Sequence, residues 1–161
     1  MTTMTSRTAM HLGLALTAAV AVVPLADLAT ADSIASHVRD AYPHWSASEV
    51  AKDRTAITAY LGIVGLLGIP CWLWAIRWAR RGSRHALALA GTLFAAGSCL
   101  ALFGLTYASA PYDRVLPLSY GLLGLLPCLA GLAAVVLLRR ERSASRATAP
   151  APTGAAPSRV R

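Results

Sequence analysis

Charge is what this sequence lacks where it would be most informative. Of its 161 residues only seven are acidic, and a single lysine, Lys52, accompanies fourteen arginines. The apolar stretches 56–76, 86–107 and 116–138 hold no ionisable acid, base or histidine at all. Transporters coupled to ions or protons keep such a group at membrane depth, because burying one there is too costly to persist without a use. A self-sufficient coupled transporter is therefore disfavoured.

Reactive chemistry is equally sparse. The three cysteines, Cys71, Cys99 and Cys128, form no C-x-x-C pair, so the usual dithiol of membrane oxidoreductases is missing. As small apolar residues they suit close helix packing. No Ser-His, His-Glu or phosphate-loop pattern is present, which leaves hydrolase and nucleotide-binding activities without support. We expect no catalytic residue and no cofactor. His37 and His44, near Trp45, are the candidate ligands for a metal or haem, but two histidines without a nearby third ligand are more often surface residues. The one acid within an apolar run is Asp27, a turn from the run's outer end, where a hydrated or helix-capping carboxylate is the simpler role. With Tyr60 and Tyr120 it makes up a candidate polar site. Thr92, Ser98, Thr106 and Ser119 add hydroxyls that could line a pocket or bond to their own helices.

Apolar length is what the sequence has in abundance. Hydrophobic residues make up 56% of the chain and mean hydropathy is +0.54, well outside the soluble range. Residues 12–29, 56–76, 86–107 and 116–138 are each near the roughly 20 residues needed to cross a bilayer as a helix. The net charge of +8 would suit nucleic acid if the cations formed one face, yet they sit at the ends of these stretches. Arg7, four arginines over 77–84 and six beyond 138 place eleven of fifteen cations on alternate connections. By the positive-inside rule both termini are cytoplasmic and connections one and three face outward. Fourteen arginines against one lysine, with abundant alanine, resemble the composition of an actinobacterial chain, which implies the plasma membrane. The cations are then topology signals and contacts for anionic lipid head groups, not a nucleic-acid surface.

The first stretch admits two readings. Arg7, the apolar run to Val23, Pro24 and the triplet Ala29-Thr30-Ala31 satisfy the pattern of a cleavable signal. Against cleavage, the apolar run continues past Pro24 to a full span length, and proline is tolerated in membrane helices. Four passes are expected.

The pattern thus predicts an all-α, four-helix up-and-down bundle occupying 1–142, with an outer helical cap over 32–54 and a disordered basic tail over 143–161. Asp32 is the expected N-cap of a short helix bearing Ile34, Val38 and Tyr42, and Ser46-x-x-Glu49 reads as a capping box opening the next. Trp72, Trp74 and Trp78 at one end and Tyr107 and Tyr112 at the other read as interfacial belts. Gly91, Ala95 and Cys99 give the third span a small-residue surface for helix packing, as Gly65 and Gly68 do the second and Gly124 and Cys128 the fourth. Gly65-x-x-Gly68-x-Pro70-Cys71 is echoed by Gly121-x-x-Gly124-x-x-Pro127-Cys128, which would relate two helical hairpins about an axis along the membrane normal.

The Tyr42-Pro43 turn, the Pro-Cys spans and the basic tail together resemble small four-pass membrane proteins of actinobacteria, over residues 12–142. The resemblance implies a fold and a location, with no active-site motif. The first expectation is a non-enzymatic structural or accessory partner, as a homodimer or beside another membrane protein. The second is a carrier of a small molecule or lipid in the bundle interior, and the third a membrane redox protein.

Overall fold

A computed structural model describes residues 4–83, 85–108 and 115–147. Among them every regular element is helical: α1 (Ser6–Leu28), α2 (Ser33–Ala41), α3 (Ala47–Arg80), α4 (Ala86–Thr106) and α5 (Leu118–Ala147). Four of these, α1, α3, α4 and α5, are long and apolar enough to cross a membrane. The fourth apolar stretch does not end its helix at Leu138. The helix continues through Arg146 to Ala147, five residues into the segment expected to be disordered, and the rest of that segment lies outside the described residues.

The helices begin where local chemistry requires. Thr5 caps α1, its side chain accepting from the Thr8 amide. The expected capping box at α3 is present: Ser46 Oγ accepts from the Glu49 amide, while the Glu49 carboxylate accepts from the Ser46 amide at 2.8 Å and from its hydroxyl at 2.7 Å. These bonds, foremost the one from the Ser46 hydroxyl, hold the Glu49 carboxyl below its ordinary pKa, with Lys52 adding a smaller attraction. At α2 the expectation fails. Asp32 occupies the N-cap position but adopts a left-handed backbone (φ 46°) and makes no capping bond. It pairs with Arg54 of α3 at 2.9 Å instead. Asp27 does the capping, accepting from Ser33 Oγ at 3.1 Å and from the Ile34 amide at 3.4 Å.

Two apolar clusters mark the two ends. One gathers Ile34, Ala35 and Val38 of α2 with Val50, Ile57 and Leu61 of α3, Leu116 and Tyr120. Tyr42 and Trp45, stacked 3.6 Å apart, cover it. The other joins Ala9 and Met10 at the start of α1 to Ile76 near the end of α3, Ala86 opening α4, and Ala134 and Leu138 late in α5. The start of α1 is clasped here: Glu141 accepts from the Ser6 amide at 2.9 Å and from its hydroxyl at 2.6 Å. A carboxylate at a helix N-terminus satisfies orphan amides and complements the dipole. Ser6 is only 3% exposed, so Glu141→Ala leaves both groups without a partner. We expect about 1–3 kcal/mol of lost stability, measured as a lower unfolding midpoint in detergent, with amide exchange at Ser6 to Thr8 rising first.

α1 packs closely on both α3 and α5, and α5 also takes α4, whereas α3 and α4 touch sparsely. That inequality bears on the Gly/Pro-Cys echo. An axis relating the two hairpins would exchange the α1–α5 and α3–α4 interfaces and make them alike. One is closed and the other open, so the packing does not follow the echo.

Candidate functional site

The gap between α3 and α4 is a cleft of about 290 Å³, walled by all four long helices. It lies just under the roughly 300–1,000 Å³ of small-molecule sites. Its size follows from close contact elsewhere. On α1, Gly13, Thr17 and Ala21 recur every fourth residue and meet Trp72, Gly68 and Gly65 of α3 in turn. A Cβ on Gly65 would lie 2.7 Å from the Ala21 side chain and 2.8 Å from its Cα, so the two backbones touch where only glycine fits. Trp72 locks the same seam. Its indole N–H donates to Thr17 Oγ1 at 2.8 Å, and its ring lies over Gly13.

α4 has no comparable seam with α3. Gly97 on α4 and Gly124 on α5 both line the cleft, and a Cβ on either would meet nothing within 4 Å. Leu67 of α3 and Leu100 of α4 line the cleft while remaining 64% and 50% exposed. They are its lips, and both lie within the apolar stretches of their helices. The echoed residues Gly65, Gly68 and Cys71, and Gly121, Gly124, Pro127 and Cys128, all line the cleft.

Several expected roles change here. Trp72 is not part of an interfacial belt: it is half-buried against α1, while Trp74 is exposed and meets Trp78 edge-on at 6.0 Å. Tyr107 is exposed at the end of α4, and Tyr112 lies outside the described residues. The small-residue surface of α4 is turned away from the other helices: Ala95 and Cys99 are exposed, and Gly91 has open space. Gly124 likewise packs against nothing and serves as cleft wall. Gly65 and Gly68 do lie in the close seam, against Ala21 and Thr17 of α1; the matching four-residue spacing of Gly13, Thr17 and Ala21 is hidden in the sequence because threonine occupies its centre.

The proposed polar trio divides. Asp27 and Tyr120 come together with Ser33 at the start of α2, whereas Tyr60 stands at the cleft mouth, 36% exposed. Cys71 and Cys128 both border the cleft as free thiols, and Cys128 Sγ donates to the Gly124 carbonyl at 3.6 Å. His37 is half-buried on α2 and His44 exposed beyond it. No group of three His, Cys, Asp or Glu side chains able to hold a metal occurs among the described residues.

The described cleft lining contains no acid, base or histidine, only the hydroxyls of Thr17, Tyr60 and Tyr120, the Trp72 indole and two thiols among apolar groups. Such a wall selects by shape and dispersion. No family model, curated protein or solved structure matches the chain.

Proposed function

We propose that this chain is a non-enzymatic, four-pass protein of the plasma membrane that holds the acyl chain of a membrane lipid in the cleft between α3 and α4. The observation that carries the reading is an almost wholly apolar cleft between helices long enough to span the bilayer, whose exposed lips Leu67 and Leu100 would open it to the hydrocarbon. Lipid tails are the molecules such an opening meets. In this arrangement the helices run up and down, both termini are cytoplasmic, and α2 with the first turns of α3 forms an outer cap. α3 is 34 residues, about 50 Å at 1.5 Å per residue. Against roughly 30 Å of hydrocarbon, its first turns project beyond the membrane, which the capping box and the Asp32–Arg54 pair suit. α1 is retained as a span in this reading, since α3 and α5 both pack on it.

A structural or accessory role is the second reading, supported by the exposed Ala95 and Cys99 on α4 and the open space beside Gly91. A partner's helix, or a second copy, would then lie on that face.

The test is photo-crosslinking. Full-length protein in bilayers containing a phospholipid with a diazirine in one acyl chain is expected to be labelled on α3 and α4 beside the cleft. Gly97→Phe and Gly124→Phe add bulk where space is open, and each should remove that labelling while the unfolding midpoint holds. Undiminished labelling in both folded variants would defeat the acyl-chain reading.

A further inference from the structure

A second concavity, of about 400 Å³, lies at the end of the molecule where α3 stops. Leu73 lies three and four residues before Ile76 and Arg77, and Arg80 three and four after Arg77 and Ile76, so the four share one face of α3. That face is apolar toward the middle of the helix and cationic toward its end. Arg81 extends the cationic part, and α1 completes the groove with Leu14 and His11. The His11 Nδ1–H donates to the Arg7 carbonyl at 2.7 Å, which ties the ring to its own helix.

Among the described residues no acid pairs with Arg77, Arg80 or Arg81. The Arg54–Asp32 pair lies at the opposite end, and Glu141 is taken by Ser6. Arg77, Arg80 and Arg81 are all exposed. Two features set the groove's level in a bilayer. Leu73 is exposed on its apolar side, and Trp74 and Trp78, on the same stretch of helix, are the residue type that settles at head groups. A soluble anion would use the arginines and leave the apolar walls idle. A phospholipid uses both.

We propose that this groove binds a phospholipid with an anionic head group, its phosphate held by Arg77, Arg80 and Arg81 and the upper part of an acyl chain lying along Leu14 and Leu73. Basic pockets between membrane helices on the cytoplasmic side take head groups in this manner. The cytoplasmic leaflet as its location rests on the orientation proposed above; the chemistry of the site does not. The groove lies on the α1–α3 side, apart from the α3–α4 cleft.

Native mass spectrometry of the full-length protein, offered equal amounts of phosphatidylglycerol and phosphatidylcholine in detergent, tests the site. Phosphatidylglycerol should be retained in clear preference. Arg80→Gln should weaken that preference about fivefold, and Arg77→Gln/Arg80→Gln/Arg81→Gln should abolish it. Arg39→Gln/Lys52→Gln, which removes charge at the opposite end of the molecule, should leave it intact. Equal retention of the two lipids, an effect of that control as large as that of the triple variant, or displacement of the lipid by millimolar inorganic phosphate would overturn the proposal. Unfolding midpoints separate lost binding from lost fold, and Arg80→Gln alone decides the matter if the triple variant does not fold. Labelling of Ser83→Cys with an impermeant thiol reagent in oriented vesicles tests orientation separately. Labelling from the outer side overturns the leaflet assignment while the lipid preference stands.

Discussion

Replacing Trp72 by alanine is expected to loosen the α1–α3 seam more than any other single truncation. The ring fills the space over Gly13, reaches toward Gly131 of α5, and gives its N–H to Thr17. In a water-soluble core a tryptophan truncation costs roughly 3–5 kcal/mol, part of it the transfer of apolar surface from water. Between membrane helices that part is absent, because lipid is as apolar as the side chain, and packing with interhelical hydrogen bonding remains. We expect a loss of about 2–3 kcal/mol, read from the unfolding midpoint in a detergent titration. Thr17→Val keeps the shape and removes only the acceptor, so it should lose about 1 kcal/mol. If Trp72→Ala cost no more than Thr17→Val, the ring's packing would contribute nothing.

Gly65→Leu should be the most disruptive substitution that adds atoms. Its Cβ alone would sit within 2.8 Å of the Ala21 Cα and amide nitrogen, and neither can move without moving α1. Overpacking in a close-packed interior typically costs 1–3 kcal/mol; here the clash is with backbone, so we expect about 3 kcal/mol or more and easier proteolysis of the α1–α2 connection. Gly91→Leu provides the contrast, since nothing lies within 4 Å of its Cβ. It should leave the midpoint unchanged. A large effect at Gly91 and none at Gly65 would mean that α4, not α1, is the helix most closely packed.

The different fates of these two glycines show how far the sequence could be read. Both sit in apolar stretches with small neighbours three or four residues away, Gly62 and Gly68 for one and Ala95 for the other, and helical periodicity is the same for a face that meets lipid and a face that meets protein. In water the two differ in polarity; in hydrocarbon both are apolar. The hydrophobic pattern therefore located the helices without saying which sides face each other. Trp72 was hidden in the same way: close along the chain to Trp74 and Trp78, it belongs to a different face. Asp27 was legible as a capping carboxylate in kind but not in target. The residue that displaced Asp32 from that task lies five positions earlier, across a turn whose geometry depends on a left-handed backbone at Asp32.

By itself the sequence determined that the chain is helical and that four of its helices are long and apolar enough to cross a membrane, because length and hydropathy are local properties read residue by residue. It also determined the capping box at Ser46 and Glu49, whose partners are three residues apart. Only the tertiary structure decided that α1 holds α3 and α5 together, that α3 and α4 part to leave an apolar cleft, and that Glu141 closes on Ser6. Each of these depends on which of several equally apolar faces approach one another. That choice is made by shape, through glycines and one tryptophan, and shape is not written in the hydrophobic pattern.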